Sequence, residues 1–386
     1  MPREALLHEP SNMNTGNVEL PAWIEVLLIP VLNICMALFF AGMIIFAIGE
    51  NPVEAVGIML NGAFGYDEGV GYTLYYTTNF IFTGLAVAIA FHAKLFNIGG
   101  EGQAYIGGLG VGLAFLLFDG LLPTLLLIPV GILAAALFGA LWAFIPAYLQ
   151  AYRGSHIVIT TIMFNFIASS LMVYLLVNVL IKPGSMSPET REFTETSWLP
   201  FMHEILGKFG FEVTRTPLNL SFILALVCCL LVWIYIWKTR WGYALRTAGQ
   251  SEAAAIYAGI KPKRIIVITM CISGALAGFV AVNEIMGVHH RLILNFTAGY
   301  GFTGIAVALM GRNHPVGIIM ASLLFGVLYQ GGAELAFELP KITREMVVAI
   351  QGLIILFSGA LALMLRPAIV KLWLVVRPAQ TAAQHG

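Results

Sequence analysis

The sequence predicts an all-α polytopic membrane protein of about ten transmembrane segments, two of them glycine-interrupted half-helices, with cytoplasmic N- and C-termini. Three observations lead there. The 386 residues are 59% hydrophobic and only 10% charged, with a mean hydropathy of +0.88, whereas soluble domains carry about 25% charged residues. The apolar residues gather into runs of the length a bilayer core requires, ~20 residues per helix. The basic residues then fall mostly on one side of the membrane if the chain crosses ten times.

In chain order the apolar segments are 23–48, 73–96, 98–118, 121–150, 156–181, 218–238, 265–288, 296–310, 315–333 and 343–365. The first 21 residues are polar. The run that follows them is too long, and lacks the small-residue site, for a cleaved leader. Residues 49–72 hold four acids and no Lys or Arg, and 182–217 form a long periplasmic loop with five acids and four bases. Residues 238–264 form a shorter, basic cytoplasmic loop, and 367–386 a cytoplasmic tail, so a single transmembrane domain covers 1–366. With the N-terminus inside, 13 of the 20 Lys and Arg are cytoplasmic, among them Lys94, Arg153, Arg246 and Arg312. Of the seven outside, four lie in the long loop, where the positive-inside rule is weak. Lys+Arg and Asp+Glu balance at 20 each, so the net charge gives no sign of a nucleic-acid partner. The four cysteines all sit in apolar runs and form no CxxC pair.

Two segments depart from an ordinary span. The stretch FNIGGEGQAYIGG at 96–108 threads five glycines among Asn97, Glu101 and Gln103, and FTAGYGFTGIAVALM at 296–310 is short and again glycine-rich. A matching pair of glycine-interrupted segments, one in each half, points to inverted repeats around a midplane site. Non-helical backbone at that depth survives only inside protein or beside water. By contrast, Gly274-Ala-Leu-Ala-Gly278 reads as a small-residue face for close helix packing.

A charge at mid-bilayer costs at least ~2.5–3.5 kcal/mol, so Glu101 has to be paired, protonated or facing water. Either it accepts hydrogen bonds from the freed amides of a broken helix, or it joins Asn97 and Gln103 in lining a solute path. Thr161, Asn165 and Ser169 form one polar stripe at a spacing of four, serving interhelical hydrogen bonds or the path. Arg312, Asn313 and His314 follow the short segment as an interface anchor or a cytoplasmic gate. The adjacent His289 and His290 lack further ligands, and no metal site is assigned. No catalytic constellation is present: His203-Glu204 lacks a second His, and Ser273 and Ser358 have no His partner.

The cytoplasmic loop reads RTAGQSEAAAIYAGI over 246–260. Its alanine run favours a helix, capped by Thr247 with Gln250 or by Ser251 alone and stopped by Gly259 and Pro262. A short helix of about two turns in a basic loop is a natural docking element. This stretch resembles the coupling-helix region of bacterial ABC importer permeases, with Glu252-Ala253-Ala254 in the place of their Glu-Ala-Ala signature. NIGGEGQ, together with ITTIMFNFIASSLMVYLL at 159–176 and GYGFTGIAVALMGRNHPVGIIMASLLFG at 299–326, resembles the nucleoside and simple-sugar branch of the ribose/branched-chain amino acid permease family.

The resemblance implies a permeation subunit of the bacterial inner membrane that moves a small neutral solute, a nucleoside or simple sugar, by alternating access. It implies a cytoplasmic ATPase docked through Arg246, Ser251, Glu252, Ala253, Ala254 and Gly259. It further implies a second permease, a copy or a paralogue, and an extracytoplasmic solute-binding protein, all in a lipid bilayer. Its translocation path would take in Asn97, Glu101, Gln103, Thr161, Asn165 and Asn313. The chain itself has no GxxxxGK[ST] loop, so ATP would be bound and hydrolysed by the partner subunit and no cofactor held here. The competing reading is an ion-coupled secondary transporter with Glu101 as the coupling residue.

Overall fold

The computed structural model describes residues 28–343 and 345–353, with residues 21, 24, 356, 369, 370 and 373 besides. The N-terminus expected in the cytoplasm and, apart from three residues, the tail expected at 367–386 lie outside the described residues, as does most of the 343–365 segment. The chain divides into two compact units, 1–53 with 345–386, and 54–344. The first contains α1 (Ile29–Ala47) and a small apolar cluster that joins Ile24 to Val370 and Trp373.

The second unit carries everything that follows. In order it holds most of α2 (Pro52–Phe64), then α3 (Asp67–His92), α4 (Gly100–Phe118), α5 (Thr124–Arg153) and α6 (Ile157–Asn178). After the long loop and its short α7 (Met202–Lys208) come α8 (Ser221–Lys238), α9 (Arg240–Gln250) and α10 (Glu252–Tyr257). The unit closes with α11 (Pro262–Gly278), a π-helical stretch Val282–His289, α12 (Tyr300–Met310) and α13 (Pro315–Glu338). Among the described residues seven helices are long and apolar enough to cross a membrane, or eight if α1 and α2 count as one broken span. They are α3, α4, α5, α6, α8, α13 and α11 with its π-helical end, while α12 is a shorter apolar helix of 11 residues. Pro315 opens α13 at its first turn, where a missing N–H costs nothing.

The expectation of a half-helix at 98–118 is corrected: α4 runs unbroken for 19 residues. The break lies before it, at 93–99, between α3 and α4. The glycines inside α4 serve close approach. A Cβ on Gly107 would press on Gly278, and one on Gly108 would overlap the Phe296 ring. A run of small residues that must meet neighbouring backbones looks, in sequence, like a run of helix breakers.

The expected packing face on α11 is present. Added Cβ atoms on Gly274 and Gly278 would collide with the carbonyl oxygens of Gly139 and Ala135 on α5. The two backbones therefore cross in contact, as small-xxx-small faces allow. Gly274→Leu is expected to cost at least ~3 kcal/mol, because here the clash is with backbone and cannot be relieved by a rotamer change. A thermal melt in detergent followed by tryptophan fluorescence checks this, and an unchanged midpoint would contradict the crossing.

Asp119, just beyond α4, fastens the long loop. Its carboxylate accepts from Arg191 Nη1 at 2.8 Å, from the Thr194 backbone N–H at 3.0 Å, and from the Thr194 hydroxyl. Burial pulls this carboxyl up, but the hydrogen bonds from Thr194 and Arg191 outweigh it and leave it below the usual range.

Candidate functional site

The irregular stretches 93–99 and 290–299 each join two apolar helices. Backbone freed from a helix must find partners when no water is available. In the first stretch, side chains supply them. Asn97 Oδ1 accepts from the Gly99 N–H at 2.9 Å and from Gln103 Nε2 at 3.1 Å. Asn97 Nδ2 donates to Gln103 Oε1 at 2.9 Å and to Ser273 Oγ at 2.8 Å. Asn165, reaching over from α6, accepts from the Gly102 N–H and donates to the Ile98 carbonyl, both at 2.9 Å.

The second stretch is anchored the same way. The Asn295 N–H meets Tyr105 Oη at 2.6 Å, and the Leu292 N–H meets Thr190 Oγ1 at 3.0 Å. Glu101, in the first turn of α4, takes the donors at the start of α12. It accepts from Thr297 Oγ1 at 2.5 Å, from the Gly299 N–H at 3.0 Å and from the Gly301 N–H at 2.8 Å. A carboxylate is acceptor-only, and a helix N-terminus carries orphan donors and partial positive charge, so the two complete each other. Gly301 lies so close that a Cβ there would overlap the Glu101 backbone.

Of the two roles open to Glu101, the geometry thus realises the first, with the amides coming from a different helix. The other residues expected along a path lie elsewhere than on an open surface. Asn97, Gln103 and Thr161 are at most 1% exposed and Asn165 is 8% exposed. Their polar atoms are spent inside the protein, with Thr161 Oγ1 donating to the Ile157 carbonyl one turn back. Asn97, Gln103 and Asn165 hold the break between α3 and α4. Asn313 stands apart from them, in a left-handed turn with Arg312 between α12 and α13. His92 Nε2 lies 3.1 Å from its carbonyl oxygen.

An open polar surface lies on α3, α12 and α13. Where the start of α3 meets the end of α13 is a cleft of about 610 Å³, lined by Tyr66, Tyr72, Tyr76, Gln330, Glu334 and Phe337 among others. The Tyr76 ring meets that of Tyr329 at 5.6 Å. The Tyr329 hydroxyl lies 3.3 Å from Thr303 Oγ1, on α12. Tyr72, Tyr76, Thr303, Tyr329 and Glu101 are all partly exposed. A second buried cluster stands behind this wall. Glu284 accepts from Tyr75 Oη at 2.6 Å and from Asn79 Nδ2 at 2.5 Å, with His289 Nε2 3.5 Å away. Beside it Asn283 donates to Asn79 Oδ1 at 3.0 Å and accepts from Asn219 and Ser221. The cluster pins the π-helical stretch to α3 and α8. π-helical turns often mark functional sites.

Sequence reasoning missed both the cleft and this cluster. The signals were present. Glu284 is an ionisable residue inside an apolar run, and Gln330 and Glu334 share a helix face in another.

On the other side of the unit, the loop at 238–264 forms two helices where one was expected. Thr239 caps α9 through a bond from the Gly242 N–H, and Ser251 caps α10 through a bond from the Ala254 N–H at 3.2 Å. Thr247 is no cap: its hydroxyl donates to the Tyr243 carbonyl within α9. Gly259 follows α10 with φ +74°, a left-handed turn that glycine adopts without strain. Ala255 is fully buried, whereas Glu252, Ala253 and Ala254 are exposed, as are Ile256 at 60% and Tyr257 at 96%. α9 lies directly on the end of α3, since a Cβ on Gly249 would overlap the His92 carbonyl. Arg246, on the same helix, is half-buried and sits within electrostatic range of the His92 ring.

Residues 69–359 match the family described as branched-chain amino acid transport system / permease component. The chain is 35% identical to the guanosine ABC transporter permease protein NupP of Bacillus subtilis over 86% of its length and 93% of the relative's. It is 32% identical to the glucose ABC transporter permease protein TsgB13 of Haloferax volcanii, over 87% and 88%. It is 31% identical to the nucleoside ABC transporter permease protein NupB of Lactococcus lactis, over 86% and 90%. No solved structure is significantly similar to it.

Proposed function

The chain belongs to the family of branched-chain amino acid transport system permease components, and from that premise we propose how its parts divide the work of import. It is a multi-pass permease subunit of an ABC importer in the cytoplasmic (inner) membrane, and ATP hydrolysis belongs to a separate subunit. The observation that carries the mechanism is the exposed tip of α10, with the uncovered apolar side chains Ile256 and Tyr257. We assign it as the coupling helix on which the ATPase docks.

From α10, motion passes to α9, then through the contact of Gly249 with the His92 carbonyl to the end of α3. His92 in turn holds the Arg312–Asn313 turn between α12 and α13. Closure of the ATPase pair would thereby move α3, α12 and α13 together. These three helices bear the open polar surface, so we place the solute path along them, from the outer cleft past Tyr329 and Thr303 to Glu101. In this account Asn97, Gln103, Thr161 and Asn165 position α4 and do not touch solute. N- and C-termini in the cytoplasm and ten crossings complete the proposed topology.

The solute is proposed to be a small neutral molecule, a nucleoside or a simple sugar. The few charges in the spans support this, as do relatives named for guanosine, glucose and nucleosides. A second permease, a copy or a paralogue, would enclose the other side of the path, and an extracytoplasmic binding protein would deliver solute to the outer loops. The test is the energy source. Uptake by the complete transporter in proteoliposomes is expected to require ATP and to survive an uncoupler. Uptake that survives ATP depletion and collapses with the uncoupler would replace this reading with the ion-coupled one, with Glu101 as its coupling residue.

A further inference from the structure

We infer that the outer cleft between α3 and α13 selects a nucleobase: the base stacks on Tyr72 and Tyr76, and its ring N–H is read by Glu334. The inference rests on the permease reading above and goes further by choosing between its two solute classes. The cleft, at about 610 Å³, is in the range of small-molecule sites, ~300–1,000 Å³. Four of its lining side chains are aromatic. Aromatic faces stack on any base with little regard to its identity, so they supply affinity for a flat ring and leave discrimination to polar groups.

Those groups are arranged for one task. Glu334 Oε1 accepts from Tyr66 Oη at 2.7 Å and from Gln330 Nε2 at 3.2 Å. Among the described residues no hydrogen bond reaches Oε2. Tyr66 lies in the outer loop. Its hydrogen bond to Glu334, followed by burial, pushes its hydroxyl up to about 12, so it remains a donor at any working pH. Gln330 is buried, and its amide is oriented by the same carboxylate. Glu334 is thus held from one side and left with an acceptor oxygen for a ligand. A second carboxylate, Glu68, also lines the cleft, with no Lys or Arg among the lining residues. Such a field repels phosphorylated solutes and favours N–H donors. A fixed acceptor that has lost its donor is costly, so the site rejects analogues lacking the N–H more strongly than a hydrophobic pocket could.

The experiment measures ATP-driven uptake by the complete transporter in proteoliposomes for inosine against 1-methylinosine, and for uridine against 3-methyluridine. Each pair differs by the one ring N–H. The wild type is expected to favour the N–H-bearing member of at least one pair by about tenfold or more in kcat/KM. Glu334→Gln is expected to erase that preference. Tyr76→Leu should weaken both members of a pair alike. A purely structural role for Glu334 would lower uptake of both members and leave their ratio intact, which overturns the inference. So does a wild type that takes up ribose with ATP but neither nucleoside pair. If no solute enters with ATP, it is the permease reading that fails, and the outcomes are therefore distinct.

Discussion

Glu101→Ala is expected to abolish uptake and lower the thermal midpoint together, because Glu101 holds three donors at the start of α12. Three donors end on its carboxylate: the Thr297 hydroxyl and the backbone N–H groups of Gly299 and Gly301. Leaving even one buried donor unpaired costs ~1–3 kcal/mol, and the loss of a charged partner at a helix N-terminus adds to that. The total is roughly 3 kcal/mol or more, a sizeable share of a membrane domain's stability. Glu101→Gln keeps one acceptor oxygen and is expected to fall between the two. The measurement is a melt of the purified variants beside their ATP-driven uptake. If Glu101 were an ion-coupling group, Glu101→Gln would eliminate uptake while leaving the melt unchanged, so the two roles separate on a single pair of curves.

The second large effect is expected at α10. Glu252→Lys reverses the charge of an exposed residue in the first turn of a helix, where a carboxylate favours the dipole. It touches no buried partner, so the fold is expected to be preserved, with a stability change of about 1 kcal/mol or less. Transport, however, should be lost, because the reversed charge lies on the face we propose as the docking site of the ATPase. Tyr257→Asp is expected to do the same by a different route. At 96% exposure this ring contributes nothing to the packing of the chain itself, and buried aromatics are typical anchors at interfaces. Normal uptake by both variants would remove α10 from the coupling path. Loss of uptake accompanied by a collapsed melt would mean that the helix matters only to the fold.

Much of the fold could be read from the sequence because membrane helices advertise themselves by length and composition. Spans such as α5, α6 and α8 are predominantly apolar and fall where the runs of 121–150, 156–181 and 218–238 predict. The Ser251 cap and the Gly274–Gly278 face were equally legible, since each rests on neighbours within a few residues. What escaped depends on residues far apart in the chain. Glycines in α4 look like helix breakers until Gly278 and Phe296 are seen lying against them. Asn97, Gln103 and Asn165 were expected on a path, because polarity in a span signals function and lining and mutual satisfaction leave the same local pattern. The partners of Asn165, Gly102 and Ile98, lie more than 60 residues away, out of reach of any local pattern. The candidate cleft was invisible for the same reason: Tyr66 and Glu334 meet across 268 residues. α9 was missed because RWGYALRTAGQ is mixed in polarity and carries two glycines, although its Thr239 cap and its amphipathic spacing both announce a helix.

The central claim is that a separate ATPase drives this permease through α10. The most direct test is affinity purification of the tagged chain from native membranes, with Glu252→Lys and wild type side by side, and identification of every co-purifying chain and its ratio. The account predicts an ABC ATPase with the wild type and its loss from the variant, with the second permease retained in both. A clean wild-type preparation without an ATPase, or an ATPase held equally by the variant, would contradict it.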